Sequence, residues 1–192
     1  PLEHRIEAKY RIYSMDLSSL SAVSPIDGRY RHVTSDLDQY FSEYALMKYR
    51  VLVEVEYFIA LVELPLPHLS DFPKDAFSGL RALYENFSEN DAKWIKDKEK
   101  ITNHDVKAVE YFVRDRMKGL GIDGFESFVH FGLTSQDVNN TAVPYSLSDA
   151  LSNILYPTIN EAVVILSKHA DAWSSVAMLA HTHGQPASPT RM

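Results

Sequence analysis

Residues 36–63 constrain this chain more than any other stretch. Leu37, Tyr40, Phe41, Tyr44, Leu52, Val55, Phe58, Ile59 and Val62 recur there at steps of three and four, the period of one helix face. Val51 to Val55 alone could pass for a strand, but the pattern on both sides is helical. Pro65, Pro67 and Pro73 follow. Proline has no N–H to extend a helix, so these residues end it in a stiff connector.

The same signal returns in shorter pieces. Ala76, Leu80, Leu83 and Phe87 predict a helix over 75–87. Ser88 with Asp91 reads as a capping-box start for a short helix over Ala92 and Ile95. Thr102 with Asp105 repeats that signal before Val106, Val109, Phe112, Val113 and Met117. Asp105 in the first turn and Arg114, Arg116 and Lys118 in the last suit the helix dipole.

Gly119, Gly121 and Gly124 then break the chain, and a domain boundary is expected there. Thr134 with Asp137 opens another helix. Its stripe, including Leu147, Leu151, Ile154, Ile159, Val163, Leu166 and Trp173, runs almost to Ala180. Pro144 and Pro157 should kink or divide it. No convincing alternation or hairpin turn stands out, so the expected class is all-α, with the last helix long enough for a bundle. The expected division is an extension over 1–14, a helical N-terminal domain over 15–124 and the start of a helical-bundle domain over 125–192.

A chain of 192 residues, 45% hydrophobic and 23% charged, can bury a sizeable core and is not compositionally disordered. A net charge of −7 argues against a general nucleic-acid binder, while leaving room for a locally positive site for small anions. With no cysteine, disulfides and thiolate metal sites are excluded. No apolar run approaches the ~20 residues of a membrane span. Residues 1–14 mix both charge signs, unlike a signal peptide, and Met15 reads as an alternative start. Ending at Met192, shortly past its last polar motif, the chain is expected to be a fragment.

Four polar clusters interrupt the helical pattern: Asp27-Gly28-Arg29-Tyr30, Thr102-Asn103-His104-Asp105, Thr134-Ser135-Gln136-Asp137 and His181-Thr182-His183. Two of them fall at predicted helix starts, where free N–H groups and the dipole favour an anion. Arg29 adds a fixed positive fork suited to phosphate or carboxylate. His104 and His183 add imidazoles, which exchange protons near neutrality. Together they suit a small polyanion undergoing proton transfer. Each cluster also has a plainer reading: a helix cap for Thr-x-x-Asp, a solvated turn for Arg29, a capping or surface histidine for His104. His-x-His can bind a metal best from a strand, and neither a strand nor an acidic third ligand is evident near His181 and His183, so no metal site is assigned.

With these residues assembled, the chain resembles the adenylosuccinate lyase family of the fumarase/aspartase superfamily, in its bacterial-type branch. The likeness runs from about Met15 to Met192. It rests on Ser24-Pro25-Ile26-Asp27-Gly28-Arg29-Tyr30, on residues 102–111 from Thr102-Asn103-His104-Asp105, on residues 130–140 from His130-Phe131-Gly132-Leu133-Thr134-Ser135-Gln136-Asp137, and on Thr182-His183-Gly184-Gln185-Pro186-Ala187. All four in this order and spacing are highly specific.

The resemblance implies a fumarase/aspartase-like all-α fold and β-elimination of fumarate from a succinylated nucleotide, with no metal or organic cofactor. It implies that Arg29 and Tyr30 bind the nucleotide phosphate, that Asn103, His104 and Asp105 position substrate, and that Thr134 and Ser135 hold the carboxyl group that leaves in fumarate. His183 would be the general acid. The general base would be a serine on a downstream loop outside these residues. Relatives of this branch commonly carry arginine where this chain has His181, whose role stays open. The resemblance further implies a cytoplasmic homotetramer acting on a small-molecule nucleotide, with neither nucleic acid nor membrane as partner. The alternatives are a superfamily lyase for another succinyl adduct, such as argininosuccinate, and an inactive helical interaction module. The Arg29-Tyr30 turn, suited to a phosphate, argues against the first.

Overall fold

The computed structural model describes Ile26 and residues 30–191. The chain divides into two compact units, the first ending at Ala150 and the second beginning at Leu151. Among the described residues the fold is all-α apart from one short hairpin.

In the first unit the central element is α1, Glu43–Glu63. The helix expected over 36–63 is broken once, at Ser42, whose backbone is extended and whose side chain accepts the Ala45 N–H at 3.1 Å. Short helical turns, Ser35–Leu37 and Asp38–Phe41, precede it. Ser42 reads as a mid-stripe polar residue in sequence, but its hydroxyl satisfies a first-turn N–H, and that sets the start. Its C-cap is Leu64, just before Pro65, as the proline signal requires.

α1 is buried on more than one side. Met47, Val51, Val55, Phe58 and Val62 join the larger core, while Tyr49 and Val53 join a smaller one with Val106, Val138 and Ala142. Such a helix is apolar nearly all round and serves as the post on which the others pack. Around it lie α2, Phe77–Glu85; α3, Glu89–Thr102; α4, Asp105–Gly119; and α5, Ser135–Ala150. Phe112 of α4 is 1% exposed and meets Phe87 and Trp94 edge-on, with ring centroids 5.9 and 5.7 Å apart. Burying one such ring stabilises the fold by about 1.5–3 kcal/mol.

The Ser88–Asp91 capping box forms as expected. The start assigned to Thr102 does not. Thr102 is the last residue of α3, Asn103 caps that helix in the left-handed conformation (φ 50°), and His104 is the N-cap of α4. Its Nδ1 accepts the Lys107 N–H at 3.1 Å, the role expected of a hydroxyl. An imidazole nitrogen reaches this N–H as a serine oxygen does, so His104 takes the capping role of its plainer reading while the Thr102 start is not used.

The predicted long helix divides, though not at Pro144, which lies inside α5. A π-helical segment, Leu151–Leu155, follows, and then α6, Tyr156–Trp173, with proline in its first turn. Pro157 cannot donate to the preceding turn, so the wider π turn and a fresh helix start accommodate it. Along α6, Tyr156, Ile159, Val163, Leu166, Ala170 and Trp173 repeat at steps of three and four and are exposed.

The expectation that residues after α6 form a strand-free loop is wrong. β1, Ala177–Thr182, pairs antiparallel with β2, Gln185–Arg191, with Thr182 opposite Gln185 and an irregularity between Leu179 and His181. The turn is His183-Gly184, both at positive φ (52° and 74°). Two left-handed residues make the mirror-image turn whose twist suits a hairpin. Asn-Gly is the usual signal for that turn, and with histidine in place of asparagine and two prolines in β2 it reads as a helix stop.

Candidate functional site

The first unit brings two of the polar clusters together. α4 and α5 begin side by side, and His104 Nε2 lies 3.3 Å from Ser135 Oγ. Because Nδ1 accepts from Lys107, the ring proton of the neutral imidazole belongs on Nε2, which donates to the serine oxygen. Asn103 and Asp105 flank His104, and Thr134 flanks Ser135. Five of the predicted site residues are thereby gathered at two adjacent helix starts.

Thr134 and Asp137 close a reciprocal cap. The Thr134 N–H and hydroxyl both donate to Asp137 Oδ2 at 2.7 Å, and the Asp137 N–H points back to Thr134 Oγ1 at 3.4 Å. These Thr134 bonds hold the Asp137 carboxyl below its ordinary range. The Thr134 hydroxyl is thus committed to the cap. The Ser135 hydroxyl and the first-turn N–H groups of α5 are better placed to meet an anion.

Asp105 is held from two sides. Its Oδ1 accepts the Val106 N–H at 2.8 Å, and its Oδ2 meets Arg50 Nη2 at 2.7 Å. Burial is the largest single influence and pushes the carboxyl up, but the Val106 N–H and the Arg50 guanidinium together outweigh it and keep Asp105 below the usual range. Arg50 also donates from Nε to Asn139 Oδ1 at 2.9 Å.

One turn further along α1, Glu54 is fully buried, with Oε1 2.5 Å from His130 Nδ1. Burial pushes the Glu54 carboxyl up, more strongly than the hydrogen bond and charge of His130 lower it. His130 takes a left-handed backbone (φ 64°), unusual for a residue with a side chain. Tyr57 Oη donates to the Phe131 carbonyl at 2.8 Å. α1 therefore anchors the segment leading to Thr134 and Ser135 at several points.

Arg50 and Glu54 were not singled out from the sequence, and His130 and Asn139 entered only as parts of one motif. The available signal was an arginine and a glutamate four residues apart within the apolar run of α1.

Tyr30 sits in the turn opening Arg31–Thr34, and its carbonyl accepts the Val33 N–H at 2.8 Å. Arg29 lies outside the described residues. His183, in the second unit, is exposed at the first position of the hairpin turn, and His181 is in β1. A groove of about 770 Å³ runs between α1 and α5, walled by Leu52, Val53, Leu133 and Tyr145. No lysine or arginine is among the described residues lining it, so it does not suit an anion.

Comparison with known proteins places these features in context. The model of a family described as lyase matches residues 28–192. The chain is 48% identical over 182 residues to the adenylosuccinate lyase of Dictyostelium discoideum, covering 92% of this chain and 39% of that protein. Against the adenylosuccinate lyase of Legionella pneumophila (strain Corby) the identity is 44% over 184 residues, with coverages of 93% and 40%. Against that of Escherichia coli (strain K12) it is 40% over 178 residues, with 92% and 39%. The chain thus spans about two fifths of the length of the curated relatives it matches. The fold is similar to the crystal structure of beta-carboxy-cis,cis-muconate cycloisomerase from Acinetobacter calcoaceticus, with a TM-score of 0.59 at 20% identity, over 82% of this chain and 35% of that one.

Proposed function

Because the chain belongs to the lyase family, whose model it matches from residue 28 to residue 192, we propose that the whole protein eliminates fumarate from adenylosuccinate to give AMP. On the same reading it also cleaves the succinylated aminoimidazole carboxamide ribotide of purine synthesis. The observation that carries this reading is the identity of 40–48% over more than nine tenths of the chain to proteins named adenylosuccinate lyase. The open start of α5 at Ser135, with His104 set against it from the start of α4, is the geometry such a substrate calls for.

In the proposed reaction a base takes the proton from the carbon beside a carboxylate of the succinyl group. The electron pair forms the C=C bond of fumarate as the C–N bond breaks, and the departing nitrogen takes a proton from His183. Charge building on the carboxylate needs fixed donors, supplied by Ser135 and the N–H groups at the start of α5, with Thr134 holding that start in shape. Asn103, His104 and Asp105 position the substrate, and Arg29 and Tyr30 bind the phosphate. The base is a serine contributed from outside residues 1–192. The division into a domain ending near residue 124 and a following bundle domain belongs to this proposal. So does a cytoplasmic homotetramer, for which the exposed heptad-like stripe of α6 is the support. No helix among the described residues is long and apolar enough to cross a membrane.

The phosphate assignment is tested on the whole protein with Arg29→Ala. The KM for adenylosuccinate should rise well beyond any fall in kcat, because the phosphate lies away from the breaking bond. Undiminished inhibition by AMP in that variant would remove Arg29 from the site.

A further inference from the structure

Among the charged residues of α1 only Arg50 and Glu54 are buried. A buried ion has lost its hydration, and a helix that needed only to pack would carry an apolar residue at such a position. What Arg50 does with its charge is specific. Nη2 meets Asp105 Oδ2 at 2.7 Å, and Nε donates to Asn139 Oδ1 at 2.9 Å. Asp105 is the first residue of α4, immediately after His104, and Asn139 lies one helical turn beyond Ser135 in α5.

The bridge Asp105–Arg50–Asn139 and the contact His104–Ser135 are therefore two links between the same pair of helix starts, attached at neighbouring residues on α4 and one turn apart on α5. The outer link is exposed and long, at 3.3 Å. The inner one is short, with a buried guanidinium at its centre. A planar guanidinium with donors in fixed directions can hold two acceptors on different helices at once, which a lysine ammonium on its flexible stem does poorly.

We propose that Arg50 is a positioning residue, setting the separation and register of the α4 and α5 starts so that His104 and Ser135 meet, without touching substrate itself. Its catalytic consequence rests on the function proposed above; its structural consequence does not.

The experiment has two arms. In the first, nuclear Overhauser contacts are measured between the His104 ring and the Ser135 β-protons. Wild type should show them. Arg50→Met should lose them while keeping the core contacts of Phe112 with Phe87 and Trp94, and Arg50→Lys should weaken them. Asn139→Ala cuts only the α5 side of the bridge, and should weaken them even if Arg50→Met does not fold. Undiminished His104–Ser135 contacts in the folded variants would overturn the proposal.

In the second arm the same variants of the whole protein are assayed on adenylosuccinate. Arg50→Met should lower kcat/KM by roughly 10²-fold, the order that misplacing substrate-positioning groups by about 1 Å costs. Ser135→Ala should then cost less in that background than in wild type, since the two changes act on one geometry. Full additivity of the two changes contradicts the proposal. A wild-type protein inactive on adenylosuccinate defeats the functional reading instead, and the first arm still decides the role of Arg50.

Discussion

Asp105 condenses the residue-scale argument, because its carboxylate is half exposed yet tied to a backbone N–H and a buried guanidinium. Its folded-state pKa is depressed, so its contribution to stability is present above the unfolded value and disappears as pH falls through the folded one. Asp105→Asn should therefore flatten the acid side of the stability–pH curve, below about pH 4, in urea titrations at several pH values. An unchanged acid limb would mean that the Arg50 contact contributes nothing measurable. Ser88 makes a simpler case. Its capping box closes the start of α3, and Ser88→Ala should cost about 1 kcal/mol in the same titrations. The Ser88 cap was legible because hydroxyl caps have a sequence pattern. The imidazole cap of His104 was legible only as the plainer reading of that one residue, because histidine has no capping pattern of its own, and Arg50 was hidden because burial of a charge depends on partners 55 and 89 residues away.

Among the elements, the helices of the first unit were legible wherever an apolar stripe met a proline, glycine or cap. α1 shows the limit of that reading. Its stripe runs through Ser42, so periodicity alone joins it to the preceding turns, and only the extended backbone and hydroxyl bond at Ser42 reveal the start. Phe112 marks the centre of the larger core, and Phe112→Ala should cost about 3–5 kcal/mol in urea unfolding. The hairpin was missed outright. Its strands alternate weakly and β2 holds two prolines, so the only local cue was the pair of turn residues. Gly184 has φ 74° with no heavy atom close to where a Cβ would sit, so conformation alone restricts it. Gly184→Val should abolish the cross-strand contacts between Thr182 and Gln185 in nuclear magnetic resonance spectra, whereas Gly184→Asn, which tolerates the left-handed region, should keep them. Equal retention in both variants would contradict the turn.

At the scale of the whole molecule, motif order carried more information than any single residue. His104 and Ser135 lie 31 residues apart in sequence, yet the fold brings them into contact. Composition could suggest an anion site there, but only tertiary packing on α1 could place the two starts side by side. The stripe on α6 is the surface on which the proposed tetramer rests. Leu166→Glu puts a charge in its middle and should shift the whole protein toward smaller species in analytical ultracentrifugation; an unchanged sedimentation profile would move the interface elsewhere. The most direct test of the central claim is the turnover of adenylosuccinate by the whole protein, wild type beside His183→Ala, followed as AMP formation at saturating substrate. Loss of the proton donor should lower kcat by roughly 10²–10⁴-fold, and a variant that turns over at the wild-type rate would contradict the account.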